Sequence, residues 1–279
     1  MIACLNNATS GAASFEGFVQ AAYVAGFPAI EAGLGDMSHY AEVHGLDGLR
    51  RLLGERQLQI GSTSLPVDWR GDEAKFRSQL EALPESMQLC QALGITRMCT
   101  WVPPRWDVRY DEAFAFARER FAAIADAIAP YSMRLGLEFV GPQGGFARQK
   151  YKFTTTLAEM LHLIAAIGRD NVGLLLDSYH LYASGATLAE ISSLPGRLVV
   201  QMHVNDAYVG VPAAELEDLK RLLPGEGAIP LVPMLRALAS TGYDWTVSVE
   251  TFSVDLKALG PVEAARAAKA AIDSVLAVL

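Results

Sequence analysis

Short apolar runs alternate with longer stretches of helical periodicity along the whole chain. The strand-like runs lie near residues 2–6, 28–33, 58–64, 96–101, 134–140, 172–177, 199–205 and 246–250. Helices are expected between and after them, at about 14–25, 45–56, 73–93, 111–130, 155–168, 187–193, 230–241 and 261–278. The stretch from Glu112 to Ile128 shows the pattern. Phe114, Ala117, Phe121, Ile124 and Ile128 recur at three- and four-residue steps until Pro130 ends the run. Gly26, Gly94, Gly168 and Gly242 each fall between a helical run and the next strand, where a residue that accepts positive φ is useful. Eight strands alternating with helices predict one parallel (β/α)8 barrel in a single domain over residues 1–279. An open doubly wound sheet is disfavoured, because no G-x-G-x-x-G follows the first strand.

Four of these runs end in a side chain able to hold a metal. They are Leu135-Gly136-Leu137-Glu138, Gly173-Leu174-Leu175-Leu176-Asp177, Val199-Val200-Gln201-Met202-His203 and Val247-Ser248-Val249-Glu250. A carboxylate at the end of a buried strand is costly unless something pairs with it. The intervals are each about one strand-plus-helix unit of a barrel, so the four endings can converge on one divalent cation. Three carboxylates and an imidazole suit Mn2+, which is favoured, or Zn2+, Co2+ or Mg2+. An organic cofactor is not expected. An ion holding two adjacent oxygens of a hydroxy-ketone polarises the carbonyl and acidifies the neighbouring C–H. Glu138 and Glu250 then have a second task as the acid–base pair, one removing that proton and the other returning a proton elsewhere. Taken singly, each acid could equally be a strand-end residue bonded to a loop amide or an arginine.

Other residues follow from their neighbours. His180, three positions after Asp177, is expected on the following loop above the ion, touching a substrate oxygen. Asp206 can orient His203 or bind a substrate hydroxyl. Arg221 fits a polyhydroxylated or anionic substrate, with a surface salt bridge as the plain alternative. Glu226, within Gly225-Glu226-Gly227, can brace the loop carrying Arg221, and Glu31 at the end of the second strand can face the site. Trp101 and Trp106 can wall the pocket, since sugar rings present apolar C–H faces to aromatics; packing between loops and helices is the alternative. The loops Val102-Pro103-Pro104-Arg105-Trp106 and Gly141-Pro142-Gln143-Gly144-Gly145-Phe146 are expected on the substrate face.

Composition narrows the function classes. The chain has 279 residues, 51% hydrophobic and 19% charged, with a net charge of −8. That composition fits a buried core, and the acidic balance argues against nucleic acid or anionic membranes as partners. No window holds ~20 uninterrupted apolar residues, and Met1–Asn7 reads as a first strand rather than a signal peptide. Cys4, Cys90 and Cys99 are expected to be buried reduced thiols, which implies a cytoplasmic setting.

The runs Leu137-Glu138-Phe139-Val140-Gly141, Arg169 to His180, and Pro224-Gly225-Glu226-Gly227-Ala228-Ile229 resemble the sugar isomerase/epimerase superfamily with xylose isomerase-like TIM barrels. Within it the chain is most similar to inosose isomerases, from the Cys4-Leu5-Asn6-Asn7-Ala8-Thr9 strand to the last helix. The resemblance implies one divalent ion on Glu138, Asp177, His203 and Glu250, proton exchange by the two glutamates, and substrate oxygens held by His180 and Arg221. It implies an isomerase or epimerase of a small polyhydroxylated ketone, an inosose foremost, acting through a cis-enediolate. Pairing through helices and loops, common in this class, makes a homodimer the expectation. The alternatives are a dehydratase of an inosose- or dehydroshikimate-like substrate, in which the same enolate expels a β-hydroxyl, and a sugar-binding barrel without catalysis. A phosphodiesterase with a trinuclear zinc cluster needs more than the five histidines present.

Overall fold

The computed structural model describes residues 1–142 and 148–279. Its centre is a closed barrel of eight parallel strands: β1 Ile2–Asn6, β2 Ala29–Ala32, β3 Gln59–Ser64, β4 Arg97–Val102, β5 Arg134–Phe139, β6 Val172–Asp177, β7 Val199–Val204 and β8 Thr246–Val249. Each strand pairs with the next, and β8 closes on β1. All eight coincide with an expected strand to within a residue or so at each end. The protein is therefore a (β/α)8 barrel.

Alternation along the strands fixes what faces inward. In β5, Leu135, Leu137 and Phe139 join the large apolar core, leaving Gly136 and Glu138 on the opposite face. A Cβ on Gly136 would lie 2.9 Å from Cys99 Sγ and 3.2 Å from Val200 Cβ, so the barrel interior is closed by contact there. Cys99, Leu175 and Val200 form a small apolar plug inside. Leu175 lies two residues before Asp177, so the ionisable layer rests on a packed floor. Register sets that layer: Asn6 pairs with Glu31, Trp101 with Glu138, and Asp177 with His203. Shifts in register between Ile30 and Glu31, and between Leu174 and Leu175, re-aim the ends of β2 and β6.

The helices are built from caps as well as periodicity. Ser14, Asp72, Thr156 and Thr187 cap the helices that follow them, each accepting a backbone N–H with its side chain. The second helix differs from expectation. Helical residues run over Leu34–Glu55 and are broken at Gly45, which has φ 74°. Only Leu34 and Met37 are buried in its first half, so apolar spacing there is too sparse to reveal a helix. Three short helices, Asn7–Ser10, Ser178–Ala183 and Val254–Ala258, follow strand ends at the site and are too brief to show a period. A two-residue ladder joins Arg105–Trp106 to Tyr151–Lys152. Most of the expected loop segment after β5, from Gln143 to Phe146, lies outside the described residues. Cys4, Cys90 and Cys99 are free and buried. Among the described residues no helix is long and apolar enough to cross a membrane.

Candidate active site

Glu138, Asp177, His203 and Glu250 meet at the C-terminal mouth of the barrel, with one donor atom from each lying within 4.8 Å of the others. His203 Nδ1 is 3.4 Å from Glu250 Oε2, 3.7 Å from Glu138 Oε1 and 3.9 Å from Asp177 Oδ2. Glu138 Oε1 and His203 Nδ1 are both buried and without a hydrogen-bond partner among the described residues. Their separation is too long for a hydrogen bond and short enough for both to reach one ion. Two orphaned donors facing each other inside a ring of carboxylates are costly in isolation, and a divalent cation would relieve that cost. The residues present therefore fit such an ion.

The far sides of these ligands are tied down. His203 Nε2 meets Glu31 Oε2 at 2.9 Å, which leaves Nδ1 as the nitrogen facing the cluster. Gln201 Nε2 donates to the same Glu31 oxygen at 3.3 Å, and Thr246 Oγ1 donates to Gln201 Oε1 at 2.6 Å. Asp177 Oδ1 accepts the N–H groups of Tyr179 and His180 and so caps the helix Ser178–Ala183. Asn205 Nδ2 reaches Asp177 Oδ2 at 3.0 Å. Asn6 Nδ2 donates to Glu250 Oε1 at 3.3 Å, while its own carbonyl oxygen accepts Ala8 N–H at 2.8 Å.

Charge separates the two glutamates. Burial raises the Glu138 carboxyl well above the usual range, and repulsion from Glu250 and Asp177 adds to this against the opposing pull of His203. Burial also opposes ionisation of Glu250, but His203 and Arg221 override it and bring it down to about 2. Burial disfavours a charged His203, yet Glu31 and Glu250 hold its pKa well above the ordinary histidine value. Glu31 is the mirror case: burial is outweighed by His203, and the carboxyl falls to about 2.

Arg221 is buried, which excludes the surface salt bridge. Its Nη1 donates to Asp177 Oδ2 and Glu250 Oε2, both at 2.9 Å, and its Nη2 to Asp218 Oδ1 at 2.6 Å. His180 lies on the short helix Ser178–Ala183 rather than on a loop, because Asp177 caps that helix directly. Its Nε2 is 3.9 Å from Glu138 Oε1 and 3.7 Å from Asp218 Oδ1. Burial lowers its pKa, favouring the neutral ring.

Two expectations need correction. Asp206 does not orient His203; Glu31 does. Asp206 gives both oxygens to backbone amides, Oδ1 to Ala207 and Ile229 and Oδ2 to Gly225, and its backbone pairs with Leu222. It thereby ties the loop after β7 to the segment carrying Arg221. Trp106 does not line the mouth cavities. It packs edge-on against Trp69 at 5.6 Å and Phe116 at 5.7 Å, and also meets Phe153. Trp101 is 37% exposed and does line the mouth. Glu226 Oε2 accepts Leu223 N–H at 3.2 Å, within the segment that carries Arg221.

Two adjoining cavities open at this end. One of about 250 Å³ is lined by Asn6, Glu31, Ser64, Thr100 and His203, among others. The second, about 180 Å³, is lined by Val140, His180, Asp218, Arg221 and Phe252. Trp101, Glu138 and Glu250 line both, so the two glutamates stand at the neck between them. Asn6, Asn205 and Asp218 were not singled out from the sequence, although Asn6 closes a strand just as the four ligands do.

A family model for the xylose isomerase-like TIM barrel matches residues 19–276. The chain belongs to that family. An inosose isomerase of Bacillus velezensis is 30% identical over 208 residues, covering 74% of this chain and 71% of the relative. A 3-dehydroshikimate dehydratase of Pseudomonas aeruginosa is 24% identical over 246 residues, or 86% of this chain and 36% of that protein. Among solved structures, a xylose isomerase domain protein from Alicyclobacillus acidocaldarius superposes with TM-score 0.93 and 30% identity, covering 100% and 99% of the two chains. These relatives support a sugar-like isomerase or epimerase as the broad class.

Proposed function

We propose that the protein is a divalent-metal-dependent isomerase or epimerase of a small polyhydroxylated ketone, with an inosose as the favoured substrate and Mn2+ as the favoured ion. The observation that carries this is the placing of Glu138 and Glu250 at the neck of both cavities, each also offering a donor atom to the cluster with Asp177 and His203. A bound divalent ion supplies Lewis acidity toward the ketone oxygens. Glu138, Asp177, His203 and Glu250 would hold it, and Glu31 fixes the tautomer of His203.

One of Glu138 and Glu250 takes the proton beside the carbonyl as a carboxylate, and the other, protonated from solvent during turnover, gives a proton to the cis-enediolate from its other side. Asn6 holds Glu250 Oε1 toward the cavity, and Arg221 stabilises the charge on Glu250 Oε2. His180 and Trp101 present a polar edge and an aromatic face to the substrate. The inosose isomerase relative favours inososes as substrates. The test is a screen of inososes and free ketoses with the ion varied and products identified by NMR. Interconversion of ketones without loss of water supports the reading, and no conversion of any of them contradicts it.

The dehydratase relative keeps a second reading in play, in which the same enolate expels a β-hydroxyl. An enone ultraviolet band during turnover would select it.

A further inference from the structure

The mouth cavities carry a charge pattern that distinguishes uncharged substrates from anionic ones. Among the described residues lining them, Arg221 is the only lysine or arginine. Its five N–H groups meet five acceptors. Nε donates to the Asp218 carbonyl at 2.8 Å, Nη1 contacts Asp177 and Glu250, and Nη2 contacts Asp218 Oδ1 and, at 3.4 Å, His180 Nε2. Asp218 thus takes two of the five while its own carboxylate, 28% exposed, faces the smaller cavity. Arg70 stacks on the Trp101 ring, 4.3 Å from its centroid, but lines neither cavity. Glu31, Glu138, Asp177, Asp218 and Glu250 together outweigh the charge of Arg221 and a divalent ion combined.

A carboxylated or phosphorylated ketone entering this pocket would face a guanidinium with no free donor and a carboxylate of its own sign. An uncharged polyol-ketone finds acceptors for its hydroxyls in Asp218, Glu31 and Ser64. We propose that Asp218 is a specificity-determining residue, which, by covering Arg221, makes the site reject anionic ketones and accept neutral ones. The proposal rests on the polyhydroxylated-ketone reading above and goes further by setting the substrate's charge class.

The test compares two ketones on the metal-loaded protein by calorimetry, 2-keto-myo-inositol as the neutral probe and 3-dehydroshikimate as the carboxylate. Wild type should bind the dehydroshikimate at least about tenfold more weakly. Asp218→Asn keeps an acceptor for Arg221 and removes the charge, whereas Asp218→Ala also frees an N–H. Dehydroshikimate affinity should rise at least about tenfold in the alanine variant and by less in the asparagine variant, whereas affinity for the neutral probe should not rise in either, because Asp218 also accepts its hydroxyls. Should Asp218→Ala fail to fold, the asparagine variant carries the comparison. Wild type that binds both probes alike, or variants that gain nothing for the carboxylate, would overturn the assignment to Asp218 while leaving the ketone reading intact. Wild type that binds neither probe overturns both.

Discussion

Replacing Glu31 with glutamine tests whether the histidine ligand is held by its second nitrogen. The change preserves shape and an acceptor oxygen but removes the charge 2.9 Å from His203 Nε2. The lowering of the Glu31 carboxyl from 4.5 to about 2 corresponds to roughly 3 kcal/mol, counted once for the pair. Because the folded pKa is depressed, this stability is fully present above about pH 4.5 and is lost as pH falls toward 2. From the side of His203, whose pKa is raised, it is present below about 6.5 and lost as pH rises through the raised value. In the metal-free protein, Glu31→Gln should shrink the stability difference between pH 6 and pH 3, read by urea unfolding, by about 2 kcal/mol. Calorimetric titration with Mn2+ or Zn2+ should show affinity weakened about 10–100-fold, the usual effect of removing a carboxylate behind a ligating imidazole. An ion affinity within twofold of wild type, with an unchanged acid limb, would refute the reasoning.

Three further outcomes follow from the same geometry. Ion affinity should fall by up to about a hundredfold per pH unit once pH drops below the raised pKa values of both Glu138 and His203, because the ion must displace a proton from each; calorimetry in buffers of different ionisation enthalpy counts the protons released. Gly141→Ala should destabilise by about 1–3 kcal/mol in thermal unfolding and lower kcat, since its Cβ would lie 2.6 Å from the His180 carbonyl oxygen and push the helix bearing that residue. Trp106→Ala should cost about 2–4 kcal/mol of stability while leaving KM near wild type, whereas Trp101→Ala should raise KM with little loss of stability.

The barrel was legible because buried parallel strands write themselves as short apolar runs, and because a charge closing such a run stands out. Glu138, Asp177, His203 and Glu250 share that signature, and Asn6 carries it in uncharged form. Placement after the strand ends was less legible, since it depends on contacts between distant segments. Asp206 points away from His203 because the Pro224–Ile229 segment returns to give it two amides, those of Gly225 and Ile229, beside the amide of its neighbour Ala207. Trp106 is drawn into Trp69 and Phe153, which come from other loops. The burial of Arg221 arises in part from Tyr179, whose hydroxyl donates to the carbonyls of Glu217 and Lys220 and draws that loop over the mouth. None of these pairings has a local period to read.

The central claim is that Glu138 and Glu250 exchange a substrate proton while holding the ion. The most direct measurement is deuterium incorporation into 2-keto-myo-inositol in D2O by the Mn2+-loaded protein, followed by NMR. The account predicts deuterium at the carbon beside the carbonyl with wild type, and a loss of about 10²–10⁴-fold in Glu250→Gln and Glu138→Gln. A metal-loaded wild type that exchanges no deuterium into any inosose or ketohexose would contradict it.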